Sequence, residues 1–139
     1  MKDIEIKFVD SWPEDEIVKL YKAGGWWKET YDKSAIQSMV KGSFAFIIAV
    51  DKNSGRAIGM GRLISDGVSD AYVQDLVVLP TYRSYGIGKQ LVNVLLNHCL
   101  SKGIVWVGLI AEPEQGGFYL PLGFKHMKNH IPMKYQMEG

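Results

Sequence analysis

A single cysteine, Cys99, in a chain of 139 residues rules out an internal disulfide framework and any site built on several thiolates. Charge of one sign is missing as well: sixteen Lys and Arg face fifteen Asp and Glu, a formal net charge of +1. Without a basic block, the broad phosphate neutralisation behind non-specific nucleic-acid binding is not available, and no nucleic-acid partner is expected. Long apolar runs are absent too. None is long enough to cross a bilayer, and the opening MKDIEIKFVDSW is too charged for the apolar stretch of a secretory signal. These absences predict no membrane partner, no metal and a reducing compartment, taken as the cytoplasm. No linker, repeat or low-complexity segment interrupts the chain, so residues 1–139 are expected to form one domain.

What is present is enough apolar material for a real core, at 47% of the residues. Lys2 to Val9 alternates with strand period, and Ser11 to Tyr21 reads as a helix, with Ser11 as a candidate cap and acids at 14 to 16. Gly24 and Gly25 end that helix, and Ser34 to Val40 predicts a short second one. FAFIIAV, the turn DKNSG and AIGMGRLIS predict a hairpin, and Ala71 to Leu79 a further strand closed by Pro80. Gly86 to Lys102 carries Ile87, Leu91, Val94, Leu95 and Cys99 at helical spacing. Ile104 to Ala111 reads as a strand, Pro113 to Leu120 as a short helix, and Phe124 to Met127 and Met133 to Met137 as two last strands. The fold class expected is mixed α/β.

The chemistry concentrates in DLVVLPTYRSYGIGKQL, where a strand meets Arg83, Gly86 and Gly88 just before the long helix. A helix N-terminus exposes N–H groups without intrahelical partners, and its dipole adds positive potential. Gly86 and Gly88 let the backbone approach phosphate oxygens, and Arg83 adds a charged donor. The same glycines also suit tight packing of helix on strand, so the loop alone leaves diphosphate binding and packing open. No Gly-Lys-Ser/Thr and no G-x-G-x-x-G is present, which removes the Walker and dinucleotide-binding motifs.

Arg83-Ser84-Tyr85-Gly86-Ile87-Gly88, after Val77-Val78-Leu79-Pro80, resembles the R/Q-x-x-G-x-G/A signature of the GCN5-related N-acetyltransferases. Gly117-Phe118-Tyr119-Leu120-Pro121-Leu122-Gly123-Phe124 is similar to the F-Y-x-x-x-G-F segment near the end of these enzymes. The resemblance covers essentially the whole chain. It implies an acetyl-CoA N-acyltransferase fold: a central, splayed, mostly antiparallel sheet flanked by helices. The strands Ala71 to Leu79 and Ile104 to Ala111 then part to admit the pantetheine arm against the backbone of Leu76, Val77 and Val78. Arg83, Ser84, Tyr85, Gly86, Ile87, Gly88 and Lys89 are implied as the pyrophosphate loop, with Gln115 where relatives often carry Asn. Tyr119 is implied as the acid that protonates the departing thiolate; a core aromatic packed beside Phe118 and Phe124 is the competing role.

Asp75 stands inside an apolar strand, where a charge is expensive unless it is paired or opens on a cleft. It is the candidate base or amine contact, with pairing to Arg62 as the structural role it could hold instead. Trp26, Trp27, Glu29 and Tyr31 lie between the first two helices and are expected to line the acceptor pocket, or in part to pack the helices onto the sheet. Asp66 and Asp70 read equally as amine attractors and as turn residues. His98, His126 and His130 read as boundary or surface residues, and Cys99 as a packed thiol.

The expected reaction moves an acetyl group from acetyl-CoA to a primary amine of a small molecule by direct attack in a ternary complex, with no metal. Aromatic surface beside carboxylates, with no Arg or Lys cluster, ranks a small amine above an amino-sugar phosphate of the glucosamine 6-phosphate type. Acetylation of a protein or peptide stays open as well, as does a non-catalytic acyl-CoA-binding module. The apolar, Met-rich stretch Ile131 to Met137 leads to an expected homodimer.

Overall fold

The computed structural model describes residues 3–137. The expected first strand therefore has its Lys2 outside the described residues. Two compact units are present, Met1–Leu109 and Ile110–Gly139.

The first unit is built on a five-stranded sheet in sequential order: β1 (Ile4–Phe8), β2 (Ala45–Asp51), β3 (Arg56–Ser65), β4 (Asp70–Val78) and β5 (Trp106–Gly108). The first three pairings are antiparallel, and the β4–β5 pairing is parallel. A parallel pair needs a crossover of a dozen residues or more, and here it carries α3 (Ile87–Ser101). α1 (Glu14–Ala23) and α2 (Ile36–Gly42) join β1 to β2. Pro13, with no side-chain cap, precedes the first turn of α1, in place of the Ser11 cap that the sequence suggests. A proline there loses little, since its missing N–H falls among the helix's unpaired donors.

β2 is buried at every position, as a strand covered on both faces must be. Gly59 and Gly61 of β3 face α3, where a Cβ would crowd the δ-methyls of Leu91 and Leu95. Their small size lets the helix lie close on the sheet. Ile17 and Leu20 of α1, Phe46, Ile48, Met60 and Leu63 of the sheet, and Leu91, Leu95 and Ile104 are all but inaccessible to solvent.

Three expectations change here. β5 covers three residues instead of Ile104 to Ala111, because Ile104 turns into the core while Val105 and Ile110 face solvent. Trp106 lays its indole across Gly108, where a Cβ would come within 2.6 Å of the ring. The second unit holds a short α4 (Gly116–Tyr119) and a 3-10 turn at Leu120–Leu122, the break falling at Pro121. Phe124 to Met127 and Met133 to Met137 form no strand among the described residues. Their composition suits a sheet, but a strand is defined by a paired ladder, and these two segments do not pair with each other.

Leu95→Ala, at a site with 0% exposure, is expected to lower unfolding free energy in urea by about 2–5 kcal/mol. Leu100→Ala on the same helix, at 62% exposure, should change it by no more than about 0.5 kcal/mol.

Candidate active site

β4 is the element around which the site forms. It pairs with β5 only through Asp70, Ala71 and Tyr72, opposite Trp106, Val107 and Gly108. From Val73 to Val78 no strand among the described residues lies on that side, so the backbone presents an unpartnered edge. An extended chain with its own amides can add to such an edge as a further strand. The expected parting of the two strands is therefore present, and it begins after Tyr72.

The register with β3 also breaks along this stretch. Arg62 faces Gln74 and Met60 faces Val77, so Asp75 and Leu76 together oppose Gly61. Asp75 takes a φ of +58°, the left-handed position that glycine ordinarily fills in such a bulge. A side chain with a Cβ costs about 1–2 kcal/mol there, less for Asp than for most residues. The bulge also swaps faces: Leu76 now reaches toward Gly61, and Val77 shares the face of Gln74.

Asp75 does not stand alone. Its Oδ2 accepts from Arg62 Nε and from the Tyr21 hydroxyl, each at 2.7 Å. Among the described residues no donor reaches Oδ1. Burial, then the Asp75 charge, push the Tyr21 phenol far above its ordinary range, so it stays a donor. Arg62 is the partner that the sequence suggests for Asp75; Tyr21 is one that sequence reasoning misses. The available signal is its place on the apolar stripe of α1, where a buried tyrosine needs a partner for its hydroxyl.

Beyond Val78 the chain turns at Pro80–Tyr82 and enters α3. Tyr82 donates to Asp51, the buried carboxylate that also accepts the Asn53 amide, and so ties the turn to the β2–β3 hairpin. Arg83 Nε donates to the Val78 carbonyl at 2.9 Å, so part of its guanidinium braces the strand end. Ser84 and Gly86 both lie at positive φ, +72° and +78°. Gly86 is required for that backbone turn; a Cβ on it would meet nothing within 4 Å, so crowding is not its reason. Gln90 N–H makes the first α-helical bond, to Gly86 O, and no side chain caps the helix. The N–H groups of Ile87, Gly88 and Lys89 thus lack intrahelical acceptors at the positive end of a fifteen-residue helix. This terminus meets the end of the open β4 edge, which suits one extended ligand carrying a diphosphate.

The aromatic loop packs partly as structure. Trp26 and Trp27 lie against the core, Trp26 edge-on to Tyr21 and Trp27 edge-on to Tyr31. Trp26 covers Gly24, where a Cβ would come within 2.5 Å of the indole. Glu29 pairs with Lys22 at 3.5 Å on the surface. Asp66 accepts the amides of Val68 and Ser69, which hold its carboxyl below the usual range and make it a turn residue. His98 sits between the rings of Phe8 and Phe44, and burial, then Lys102, push its imidazole below the ordinary value. Cys99 is buried, and that burial raises its thiol.

In the second unit Tyr119 lies at the end of α4, edge-on to Phe118 and Phe124. Burial, then the Glu112 charge, raise its phenol, so at neutral pH it carries a proton. Gln115 is exposed and begins the same helix. His130 is turned onto the Lys128 carbonyl. Among the described residues no group of His, Cys, Asp and Glu could hold a metal, and no helix is long and apolar enough to cross a membrane.

An open strand edge running into an uncapped helix terminus defines a class of protein that takes an extended, diphosphate-bearing ligand. Comparison with known proteins gives this class its family. The family model described as an acetyltransferase (GNAT) domain matches residues 14–135. GCN5-related N-acetyltransferase 1, chloroplastic, of Arabidopsis thaliana is 31% identical over 110 residues, which is 79% of this chain and 55% of that protein. A GNAT-family acetyltransferase of Streptococcus pneumoniae TIGR4 has a TM-score of 0.80 at 28% identity, over 99% of this chain and 100% of that one. Aminoglycoside N-acetyltransferase AAC(6')-Iy in complex with CoA shares the fold, with a TM-score of 0.74 at 18% identity over 99% and 97% of the two chains. The chain belongs to the GNAT family of acetyl-CoA-dependent acetyltransferases. It spans about half the length of the Arabidopsis protein.

The cytoplasmic expectation is corrected by these relatives. The Arabidopsis protein, a second GCN5-related N-acetyltransferase of that plant and serotonin N-acetyltransferase 2 of rice are all named as chloroplastic. A low cysteine content separates reducing from oxidising compartments and cannot tell one reducing compartment from another.

Gly86→Val forces a β-branched residue into a left-handed position at the helix entry. Calorimetry should find acetyl-CoA bound about tenfold more weakly or worse, the loss of one charge-assisted backbone contact. Unchanged affinity in a folded variant would show that the loop does not bind the diphosphate.

Proposed function

We propose that the protein acetylates a primary amine on a small molecule, the amine attacking the acetyl-CoA carbonyl directly in a ternary complex. The observation that carries this reading is the unpartnered β4 edge from Val73 to Val78 ending at the bare N-terminus of α3. In this reading Leu76, Val77 and Val78 hold the pantetheine arm through their backbone. Arg83, Ser84, Tyr85, Gly86, Ile87, Gly88 and Lys89 hold the diphosphate. An N–H of the β4 edge near Val78 polarises the acetyl carbonyl, where a fixed dipole acts on developing charge at no reorganisation cost. Tyr119, kept protonated by its surroundings, donates to the thiolate as it leaves. The family match across residues 14–135 reaches into both units, which supports a single catalytic domain.

The acceptor side is read from Trp26, Trp27, Glu29, Tyr31 and Asp75. Asp75 keeps Oδ1 for an ammonium group, and the indoles offer apolar surface with a negative face. Three basic side chains around this loop are committed, Lys22 to Glu29, Lys33 to Asp15 and Arg62 to Asp75, which leaves Lys28 of the loop itself and no basic cluster. That balance favours a cation with apolar bulk over a sugar phosphate. A rice relative named serotonin N-acetyltransferase 2 places an arylalkylamine first in a test panel. Plastid location is proposed on the names of the relatives, and a homodimer on the exposed Ile131, Met133, Tyr135 and Met137.

The test is release of free thiol with serotonin, spermidine, glucosamine 6-phosphate and a lysine peptide as acceptors. Turnover of the two amines is expected to exceed that of the sugar phosphate and the peptide; strong turnover of glucosamine 6-phosphate alone would reverse the reading. Tyr119→Phe should reduce kcat by roughly ten- to a thousandfold with little change in acetyl-CoA affinity. A folded variant with full kcat, measured where chemistry limits the rate, returns Tyr119 to a packing role. Light scattering at tens of micromolar that finds only monomer removes the dimer, since that concentration populates complexes of about micromolar Kd.

A further inference from the structure

A left-handed aspartate in a strand requires a cause. Position 75 is the residue of the bulge where glycine is free of strain, yet this chain places a side chain there. That side chain is gripped from two directions: Tyr21 comes from α1 and Arg62 from β3, and both reach Oδ2 at 2.7 Å. Three elements therefore meet at one partly buried carboxylate oxygen. The grip lies two residues after Val73, where β4 has lost β5, and one residue before the Leu76–Val78 edge.

We propose that Tyr21 and Arg62 are positioning residues for acetyl-CoA, acting through Asp75 as a latch that holds the β4 bulge and so sets the course of the open edge. This rests on the edge being the pantetheine strip, as proposed above. The geometry separates two uses of one carboxylate: Oδ2 serves the latch, and Oδ1 is left for the acceptor. Leu76 follows the same logic on the opposite face. It fills the space over Gly61, where a Cβ would lie 3.2 Å from its δ-methyl, so the bulged backbone is held from both sides of the sheet. Without the carboxylate, a residue with a Cβ at position 75 relaxes toward ordinary extended φ, and the edge shifts register against β3.

Glycine distinguishes the latch from direct chemistry, because it removes the carboxylate and the backbone strain together. Asp75→Ala should weaken acetyl-CoA binding by about tenfold in calorimetry, the equivalent of the left-handed penalty now unopposed. Asp75→Gly should bind within about threefold of the parent, since glycine adopts this φ freely. Tyr21→Phe should raise the KM for acetyl-CoA with kcat at saturation nearly kept, and should have no further effect on acetyl-CoA binding when added to Asp75→Gly. Amide exchange without acetyl-CoA supplies a readout independent of binding: Leu76 to Leu79 should exchange faster in the Ala and Phe variants than in the parent or the Gly variant. Equal affinity and equal exchange in Asp75→Ala and Asp75→Gly would overturn the latch. So would a change confined to acceptor KM in both. Failure of the parent to bind acetyl-CoA would instead overturn the pantetheine strip on which the proposal rests.

Discussion

β4 is bound to β3 along its length and yet must leave β5 after three residues, and the site follows from reconciling those two demands. The bulge at Asp75 is the reconciliation. It adds one residue to β4 opposite Gly61 and exchanges the faces of the strand, while the edge beyond Tyr72 stays without a partner strand. Gly61 belongs to the same solution, because a Cβ there would stand 3.2 Å from a δ-methyl of both Leu76 and Leu95, closer than such contacts normally come. A strand that ran straight would bury Asp75 without its partners or carry its edge elsewhere.

Charge in this protein is used locally. Asp75 takes Arg62 and Tyr21, Asp51 takes Tyr82 and the Asn53 amide, and Asp66 takes two amides of its own turn. Each carboxylate stabilises a backbone irregularity: a bulge, a hairpin turn and a loop. Such contacts contribute more by leaving no buried group unsatisfied than by attraction alone. The helix terminus at Ile87 to Lys89 is left uncapped beside the open edge. A binding site for an anion needs that incompleteness, since a capped terminus has its donors already occupied.

Much of this was legible in the residues, because period and punctuation are local. Alternation at Ile4, Ile6 and Phe8, the apolar run of β2, and the helical spacing of Leu91, Leu95 and Cys99 each produced the element observed. Gly86 sits at the helix entry as its place between strand and helix implied, though for its positive φ and not for crowding. The late segments misled for a physical reason. Phe124 to Met127 and Met133 to Met137 have the composition of strands, but whether a ladder forms depends on a partner that composition does not name.

By itself the sequence determined the first three helices, the first four strands and the family, since these rest on local spacing and on two motifs in order. Only the tertiary structure decided what Asp75 does. An aspartate in an apolar strand demands a partner, and the sequence suggests Arg62, thirteen positions away, but does not pair it with Tyr21, fifty-four away. Folding α1 against the sheet brings both donors to one oxygen. The bulge that this contact accompanies is a matter of register between two strands, a quantity that exists only once they are paired.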